Sequence, residues 1–149
     1  MHPDEIFMSE AIILAKQAFA QGEVPVGALV VKGNKVIGKG FNQPIYTSDP
    51  TAHAEIVALR DAAITVQNYR LSDCSLYVTI EPCAMCVGAM VHARIQRVIF
   101  GATEPRAGSL VSQLKLMDMS HFNHTFEWQG GVLETECGDL MRDFFKSRR

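Results

Sequence analysis

The order of helical and strand patterns along the chain predicts an α/β fold, a three-layer α/β/α domain with a mixed sheet. Two apolar runs flank Gly33-Asn34, a dipeptide typical of hairpin turns, and they predict a pair of antiparallel strands. Farther along, short apolar runs alternate with helical patterns, and crossovers of this kind produce parallel strands. The connecting helices would then cover both faces of one sheet.

The first half of the chain begins with an amphipathic helix predicted over residues 4–21. Ile6, Ile13, Leu14 and Ala18 are among its apolar positions, and Gly22 ends it. The elements that follow are, in order, a strand at 24–31, a strand at 35–41, a loop at 42–50 and a helix near 52–65 that begins with His53 and Glu55.

The second half begins with a short buried strand at 75–80, which leads to Pro82. Proline suits the first position of a helix, where a missing N–H group costs nothing. The remaining elements are, in order, a helix from Pro82 to about Arg94, a strand at 97–101, a glycine-containing loop at 102–109, a helix near 109–117, an ambiguous segment at 125–133 that fits a strand interrupted by Gly130-Gly131, and a final helix at 134–146.

Composition limits the domain organisation and the class of partner. The chain has 149 residues, 48% of them hydrophobic, and can bury one substantial core, so we expect a single domain over residues 1–149. Its net charge is −2, which excludes a protein that binds nucleic acid non-specifically through a broadly basic surface. Any such contact would be local. The basic end at 146–149 is one candidate, although charge alone favours a solvated helix end.

Cysteine usage and hydropathy indicate the compartment. No apolar segment reaches the length of a membrane span, and the N-terminus lacks the basic start of a secretory signal. Four cysteines in a chain of this length do not make a disulfide framework, and we expect Cys74 and Cys137 to be buried, reduced thiols. The sequence therefore predicts a cytoplasmic protein that does not contact a membrane.

The most specific chemical motif combines His53 and Glu55 with Cys83 and Cys86. One imidazole and two thiolates provide three zinc ligands and leave the fourth tetrahedral position open for water, as in catalytic zinc sites. A structural site would fill all four positions, usually from two paired motifs, and the chain has a single Cys-x-x-Cys. The motif therefore predicts one catalytic Zn²⁺ per chain.

The spacing of these residues suits separate roles. Cys83 and Cys86 are three residues apart and share one face of a helix, near its positive end, which favours thiolates. His53 and Glu55 are two residues apart and diverge, which fits one metal ligand and one general acid/base. A Cys-x-x-Cys alone is also typical of redox pairs and zinc knuckles. Its combination with His-x-Glu favours the catalytic interpretation.

At this motif the chain resembles the cytidine deaminase-like superfamily, whose signature for zinc-dependent nucleobase deaminases it carries. It is most similar to the bacterial tRNA-specific adenosine deaminases. Asn42, residues 49–55 and the Phe-Phe-containing end at 143–149 carry this second likeness. Further similar segments are residues 24–28, 40–42, 68–71, 76–79, 81–83 and 88–90.

The resemblance implies a cytidine deaminase-like fold, a homodimer and the hydrolytic deamination of adenosine to inosine at the wobble position of a tRNA anticodon. In this interpretation His53, Cys83 and Cys86 bind zinc. Glu55 is the catalytic residue that moves protons between water, the base and the leaving amine.

The resemblance also assigns the contacts with the anticodon stem-loop. Asn42 matches a position whose side-chain amide recognises the flipped-out base. Phe145 and Arg148 match positions on the C-terminal helix that help to hold the anticodon loop. Glu104 lies at a substrate-binding position where the family commonly has Asp, in a loop that is shorter here than in the family.

Two other functions stay open. The same zinc motif serves deaminases of a free base or nucleoside, such as guanine or cytosine, although the Phe-Phe pair and the basic end favour a polynucleotide. A non-catalytic, zinc-stabilised RNA-binding subunit would have no need of the Glu55 carboxylate, so the presence of this residue favours an enzyme.

Overall fold

The computed structural model describes residues 1–148, so Arg149 of the basic end lies outside the described residues. The chain forms a five-stranded sheet with helices packed on both faces. The strands are β1 (Gly27–Lys32), β2 (Lys35–Phe41), β3 (Cys74–Ile80), β4 (Arg97–Ala102) and β5 (Glu127–Gln129). The helices are α1 (Pro3–Ala20), α2 (Pro44–Thr47), α3 (Ala54–Val66), α4 (Ala84–His92) and α5 (Glu134–Lys146), with a 3₁₀ turn at Leu116–Asp118.

The sheet is mixed, with strand order β2-β1-β3-β4-β5. Strand β1 pairs antiparallel with β2 and with β3, whereas β4 pairs parallel with β3 and with β5. Helices α1 and α5 contact each other and the sheet, while α3 lies over β1 and β2 and contacts α4. The predicted three-layer α/β/α fold with a mixed sheet is confirmed.

Glycines allow two of these helices to approach the sheet closely. A Cβ atom on Gly27 of β1 would lie 2.0 Å from the Ala11 carbonyl oxygen of α1. A Cβ atom on Gly40 of β2 would lie 2.5 Å from the carbonyl oxygen of Ala54, the first residue of α3. The second contact brings the start of α3 close to the sheet, and His53 with it.

The apolar positions named for helix α1 differ in burial. Ala18 is fully buried and Leu14 packs partly against the core, whereas Ile6 and Ile13 are 50% and 58% exposed. Met8, Ala11 and Ala15 are fully buried as well. The small alanines face the sheet because the close approach at Gly27 leaves no room there for a larger side chain.

Three other segments differ from the sequence-based prediction. The helix predicted near 109–117 is absent apart from the turn at Leu116–Asp118, and the loop predicted at 42–50 contains the short helix α2. In the ambiguous segment at 125–133, the strand is limited to β5, and it ends before Gly130. A Cβ atom on Gly130 would lie 2.3 Å from the Phe100 ring, so glycine is required for this close packing.

The two cysteines outside the Cys-x-x-Cys motif are 1% exposed, and both are free thiols, as predicted. Cys74 begins β3, and Cys137 lies in α5. Across residues 1–148, no helix combines the length and the apolar character that crossing a membrane requires.

A buried ionic cluster fastens the start of α1 to the sheet. The Arg97 guanidinium of β4 donates two hydrogen bonds to the Asp4 carboxylate, at 2.7 and 3.1 Å, and the Tyr77 hydroxyl of β3 donates a third at 2.6 Å. Asp4 is 5% exposed. The hydrogen bonds from Arg97 lower the pKa of Asp4 more than burial raises it, so this pKa lies below its ordinary value of 3.8.

We expect Asp4→Asn to lower the free energy of unfolding by about 1–3 kcal/mol at pH 7, because Arg97 loses its buried counter-charge. A carboxylate whose pKa is lower in the folded state stabilises the fold above its unfolded pKa, and this contribution disappears as the pH falls through the folded pKa. The difference between wild type and variant should therefore shrink below about pH 4. Urea unfolding followed by circular dichroism at several pH values measures it. Exposed Asp118→Asn is the control, and a pH-independent difference for Asp4→Asn would contradict the electrostatic explanation.

Candidate active site

The ends of two helices bring the predicted metal ligands together. His53 is the N-cap of α3, and Cys83 is the N-cap of α4, each with an extended backbone, while Cys86 lies in the first turn of α4. The His53 Nδ1 atom lies 3.6 Å from each of the two sulfur atoms. The three donor atoms all lie within 4.8 Å of one another.

This spacing fits a tetrahedral zinc ion. Zn–S bonds of about 2.3 Å and Zn–N bonds of about 2.0 Å at tetrahedral angles place nitrogen and sulfur about 3.6 Å apart, as they are here. Two sulfurs and one imidazole nitrogen are also the donors that zinc prefers over Mg²⁺ or Ca²⁺. The side chains of His53, Cys83 and Cys86 therefore fit zinc in both geometry and chemistry.

The electrostatics of the two thiols indicate the same requirement. A hydrogen bond from Cys86 outweighs burial and, with His53, lowers the pKa of the Cys83 thiol to about 4. The hydrogen bond between the two thiols and burial both raise the pKa of Cys86. The two sulfurs cannot both ionise easily in the chain alone, and a divalent cation between them would remove that obstacle.

Glu55 lies in the first turn of α3 and is 4% exposed. Burial raises the pKa of its carboxyl to about 7. A carboxyl with this pKa holds or releases a proton readily near neutral pH, as a general acid/base must. His53 belongs to the extended segment before α3 and Glu55 to the helix itself, and the cluster of donor atoms contains His53 but not Glu55.

The helix boundaries at the metal ligands differ slightly from the prediction. Pro82 lies before the N-cap of α4 and not at the first helical position, since the helix begins at Ala84. His53 likewise precedes α3. His53 and Cys83 have extended backbone conformations and directly precede a helix. The direction in which the chain enters each helix therefore sets the direction of these two side chains.

An open cleft with a volume of about 1000 Å³ contains His53, Glu55 and Cys83. Its walls come from the segment after β4, from the segment before β1 and from one face of α5. Besides these three residues it is lined by Val24, Val26, Asn42, Ile80, Glu81, Ala102, Thr103, Glu104, Pro105, Arg106, Ala107, Glu134, Thr135, Gly138, Met141, Arg142, Asp143, Phe145 and Lys146.

Asn42 lines this cleft beside the start of α3. Its Oδ1 atom accepts a hydrogen bond from the Ala54 N–H at 2.7 Å. The segment that follows Asn42 is held by Glu23, a 2% exposed carboxylate that accepts from the N–H groups of Ile45 and Tyr46 at 3.3 and 2.8 Å. Glu23 was not singled out from the sequence, since its partners are more than 20 residues away.

The other predicted substrate residues separate into two groups. Glu104 and Phe145 line the cleft, and the Glu104 carboxylate also accepts hydrogen bonds from the N–H groups of Arg106 and Ala107 in its own loop. Arg148 does not line the cleft. Its guanidinium lies 4.6 Å from the centroid of the Phe144 ring, which is buried against α1.

Three cations line the cleft, and of these only Lys146 was named from the sequence, as part of the basic end at 146–149. Arg106 comes from the loop after β4, and Arg142 and Lys146 come from α5. Arg142 and Lys146 are spaced at i and i+4, and Gly138 and Phe145 lie on the same helical face. The helical spacing from Phe145 back to Arg142 was the sequence signal for this second residue of α5.

The model of the MafB19-like deaminase family matches residues 2–149. The chain belongs to this family. Since deaminases of this kind carry the zinc signature found at His53, Cys83 and Cys86, the family assignment and the geometry of the cluster agree.

Individual relatives are similar over most of the chain. The deaminase is 49% identical over 147 residues to the tRNA-specific adenosine deaminase of Haemophilus influenzae, covering 98% of this chain and 85% of that protein. A solved structure from work on A-to-I editing by tRNA:A34 deaminases is 36% identical, with a TM-score of 0.89 over 91% of this chain and 98% of that one. Guanine deaminase from Bacillus subtilis is 40% identical, with a TM-score of 0.64 over 66% of this chain and 64% of that one.

Proposed function

We propose that the protein is a zinc-dependent hydrolase that deaminates adenosine to inosine at the wobble position of a tRNA anticodon. The main observation behind this proposal is that the cluster of His53, Cys83 and Cys86 opens into a cleft. Buried Glu55, Phe145 and three cations line the same cleft. Such a cleft joins a deaminating centre to a surface suited to RNA. Relatives named as tRNA-specific adenosine deaminases support tRNA as the substrate.

In this proposal five residues of the site have defined tasks. Zinc held by His53, Cys83 and Cys86 would supply a Lewis acid that activates water for attack on the base. Glu55 would take a proton from that water and deliver protons to N1 of adenine and to the departing ammonia. A single carboxyl suffices because the same group acts first as a base and then as an acid. The Asn42 amide would hold the edge of the base.

The cleft also explains why an anticodon would suit the enzyme. Glu55 is buried, so a base reaches it only after leaving the stack, and unstacking costs least in a single-stranded loop. The volume of about 1000 Å³ exceeds the space that one base fills, which leaves room for neighbouring nucleotides. Arg106, Arg142 and Lys146 line the cleft and are the groups that backbone phosphates of the loop would meet. The acidic residues Glu104, Glu134 and Asp143 line it as well.

The deamination of free guanine is the second candidate function, because one of the similar solved structures is that of a guanine deaminase. The two functions make different use of the cleft. A free base needs the zinc centre, Glu55 and Asn42, whereas an anticodon loop also needs Phe145 and the surrounding cations.

The experiment is a comparison of substrates with zinc-loaded protein. We would measure ammonia release, and inosine formation by mass spectrometry. The substrates would be an anticodon stem-loop with adenosine at the wobble position, the same stem-loop with cytidine at that position, free adenosine and free guanine. We expect turnover of the first substrate alone. Turnover of guanine with none of the stem-loop would replace the proposed function by the second candidate.

The face of α5 gives a further prediction about RNA binding. Phe145→Ala should weaken stem-loop affinity by about 1–3 kcal/mol through lost stacking, without changing the salt dependence. Lys146→Ala should lower the slope of log Kd against log salt by about 1, because one phosphate contact is lost. Fluorescence anisotropy over a range of salt concentrations separates the two effects.

Arg148→Ala provides the comparison, at a position just beyond the C-terminal end of α5 and not on the helix itself. If Arg148 holds the anticodon loop, as the family resemblance implies, the variant should reduce the salt slope as Lys146→Ala does, although Arg148 lies outside the cleft. An unchanged slope would confine the contacts to the face of α5 that lines the cleft. Unchanged affinity in both Phe145→Ala and Lys146→Ala would remove α5 from the RNA site.

We also propose that the protein is a homodimer. Several apolar side chains at the start of α4 and in the segment after β4 are more than one-third exposed: Met85, Val111, Leu114 and Met119. A second copy would cover them. Leu114→Glu should then reduce the mass measured by light scattering to that of one chain, while Ile64→Glu, at a 76% exposed position of α3, should not. A monomeric wild type would exclude the dimer.

The remaining proposals concern domain organisation and compartment. We propose one deaminase domain over residues 1–149, since the family model matches nearly all of them. The cytoplasm is the proposed compartment, because all four cysteines are free thiols and the proposed substrate is a tRNA.

A further inference from the structure

The segment of residues 103–112, the pocket loop, forms one wall of the cleft without being a helix or a strand. Its first half, from Thr103 to Ala107, lines the cleft. Its internal hydrogen bonds include one from the Gly108 N–H to the Glu104 carbonyl at 2.9 Å. A loop of this length with so little regular structure needs an external anchor to keep one conformation.

That anchor is the carboxylate of Glu81. Its Oε2 atom accepts hydrogen bonds from three consecutive backbone N–H groups, those of Leu110, Val111 and Ser112, at 3.1, 2.8 and 2.9 Å. Its Oε1 atom accepts from the Glu104 N–H at 3.0 Å and from the Ser112 hydroxyl. One side chain therefore holds both ends of the pocket loop.

The pocket loop also packs directly against this carboxylate. A Cβ atom on Gly108 would lie 2.3 Å from the Glu81 Cδ atom, so only glycine allows this approach. Beside it, the Ser109 N–H donates to the Pro82 carbonyl at 2.9 Å. Glu81 and Pro82 directly precede Cys83, and the loop thus rests on the segment that carries a metal ligand.

A carboxylate is the group that these contacts require. Glu81 is 3% exposed and is surrounded by donors from the pocket loop. A glutamine would turn an N–H₂ group toward backbone N–H groups and leave buried donors without acceptors. A carboxylate offers about four lone-pair sites for donors, and Glu81 receives five donors from the two ends of one loop.

We propose that Glu81 is a positioning residue, which fixes the wall of the cleft at a set distance from the Cys83 end of α4. Its role rests on the proposed function, since the RNA would enter between this wall and α5. Glu81 acts through the pocket loop, because all five hydrogen bonds to its carboxylate come from that loop. Loss of the anchor should therefore weaken substrate binding more than it slows the chemical step.

Two variants test the anchor from its two sides. Glu81→Gln removes the acceptor, and Gly108→Ala pushes the pocket loop away without altering Glu81 or any residue near the zinc ligands in sequence. We expect trypsin to cleave after exposed Arg106 about tenfold or more faster in both variants, because the loop opens more often. KM for the stem-loop should rise about 10- to 100-fold, with a smaller change in kcat and unchanged zinc content.

Ser112→Ala and Gly88→Ala are the controls. Ser112→Ala removes one of the five donors and should have a small effect on both readouts. Gly88→Ala adds the same methyl group as Gly108→Ala, at a position of α4 where nothing lies within 4 Å, and should leave trypsin cleavage unchanged. If Glu81→Gln does not fold, Gly108→Ala still tests whether contact with Glu81 holds the pocket loop in place.

The outcomes separate this inference from the proposed function. Unchanged cleavage at Arg106 and unchanged KM in Gly108→Ala would overturn the role of Glu81. A fall in kcat alone, with normal KM and normal cleavage, would also overturn it. If the wild type does not deaminate the stem-loop but the variants are cleaved faster, the anchor stands and the proposed substrate fails.

Discussion

Glu55→Gln is expected to reduce kcat on the anticodon stem-loop by about 10²- to 10⁴-fold, the usual contribution of a general acid/base. Glutamine keeps the volume of the buried side chain and removes only its ability to exchange a proton. Zinc content should stay at the wild-type level, because His53, Cys83 and Cys86 are untouched. Steady-state kinetics and metal analysis by mass spectrometry of the purified variant measure the two quantities.

The control for this prediction is Asp61→Asn, which removes an exposed carboxylate from the same helix, α3. Its kcat should equal that of the wild type. Substantial residual turnover in Glu55→Gln would show that another group moves the protons. Loss of zinc from Glu55→Gln would show instead that the carboxylate supports the metal site, and the assignment of separate roles to Glu55 and His53 would then be wrong.

The metal cluster was predictable from the sequence because its chemistry is local. Cys83 and Cys86 belong to one helical turn, and His53 belongs to a second motif of three residues, so ligand type and spacing were enough to identify them. The distance of 3.6 Å from the His53 nitrogen to both sulfurs depends on how α3 and α4 pack. The position of both motifs at helix N-termini predicts a site between two helices, but the distance itself depends on tertiary contacts that the local motifs do not determine.

The segment at 109–117 shows where local reasoning fails. Its residues favour a helix, but the N–H groups of Leu110, Val111 and Ser112 donate to Glu81, about 30 positions earlier. A buried carboxylate offers stronger, charge-assisted hydrogen bonds than a helical carbonyl does. Tertiary contacts therefore decided the local structure, and no pattern within the segment could have indicated this.

The same explanation applies to α2 and to the final helix. The helix α2 begins at Pro44 inside a segment rich in turn residues, and distant Glu23 accepts from its first N–H groups. The boundaries of α5 were predicted correctly, because its pattern of charged and apolar residues is regular. Which of its side chains face the cleft depends on Phe144, which packs into the core and turns Phe145 outward.

Removing a thiolate should have an effect as large as that of removing Glu55, but through the metal. Cys83→Ser and Cys86→Ala should each lower zinc affinity by more than about 100-fold, since loss of an outer-shell partner alone costs 10- to 100-fold. Deamination should fall with zinc occupancy. Metal analysis after dialysis against a weak chelator, together with ammonia release from the stem-loop, measures both.

Cys74→Ala is the matched control for Cys86→Ala, because the two thiols are 1% and 0% exposed and only Cys86 belongs to the cluster. Both substitutions remove a buried sulfur atom and leave a similar small cavity, so both should lower the melting temperature to a similar degree in the absence of zinc. Only the wild type and Cys74→Ala should then be stabilised by added zinc. Full zinc occupancy in Cys83→Ser or Cys86→Ala would remove that cysteine from the ligand set, and the 3.6 Å spacing to His53 would have to be explained by thiol–imidazole hydrogen bonding alone.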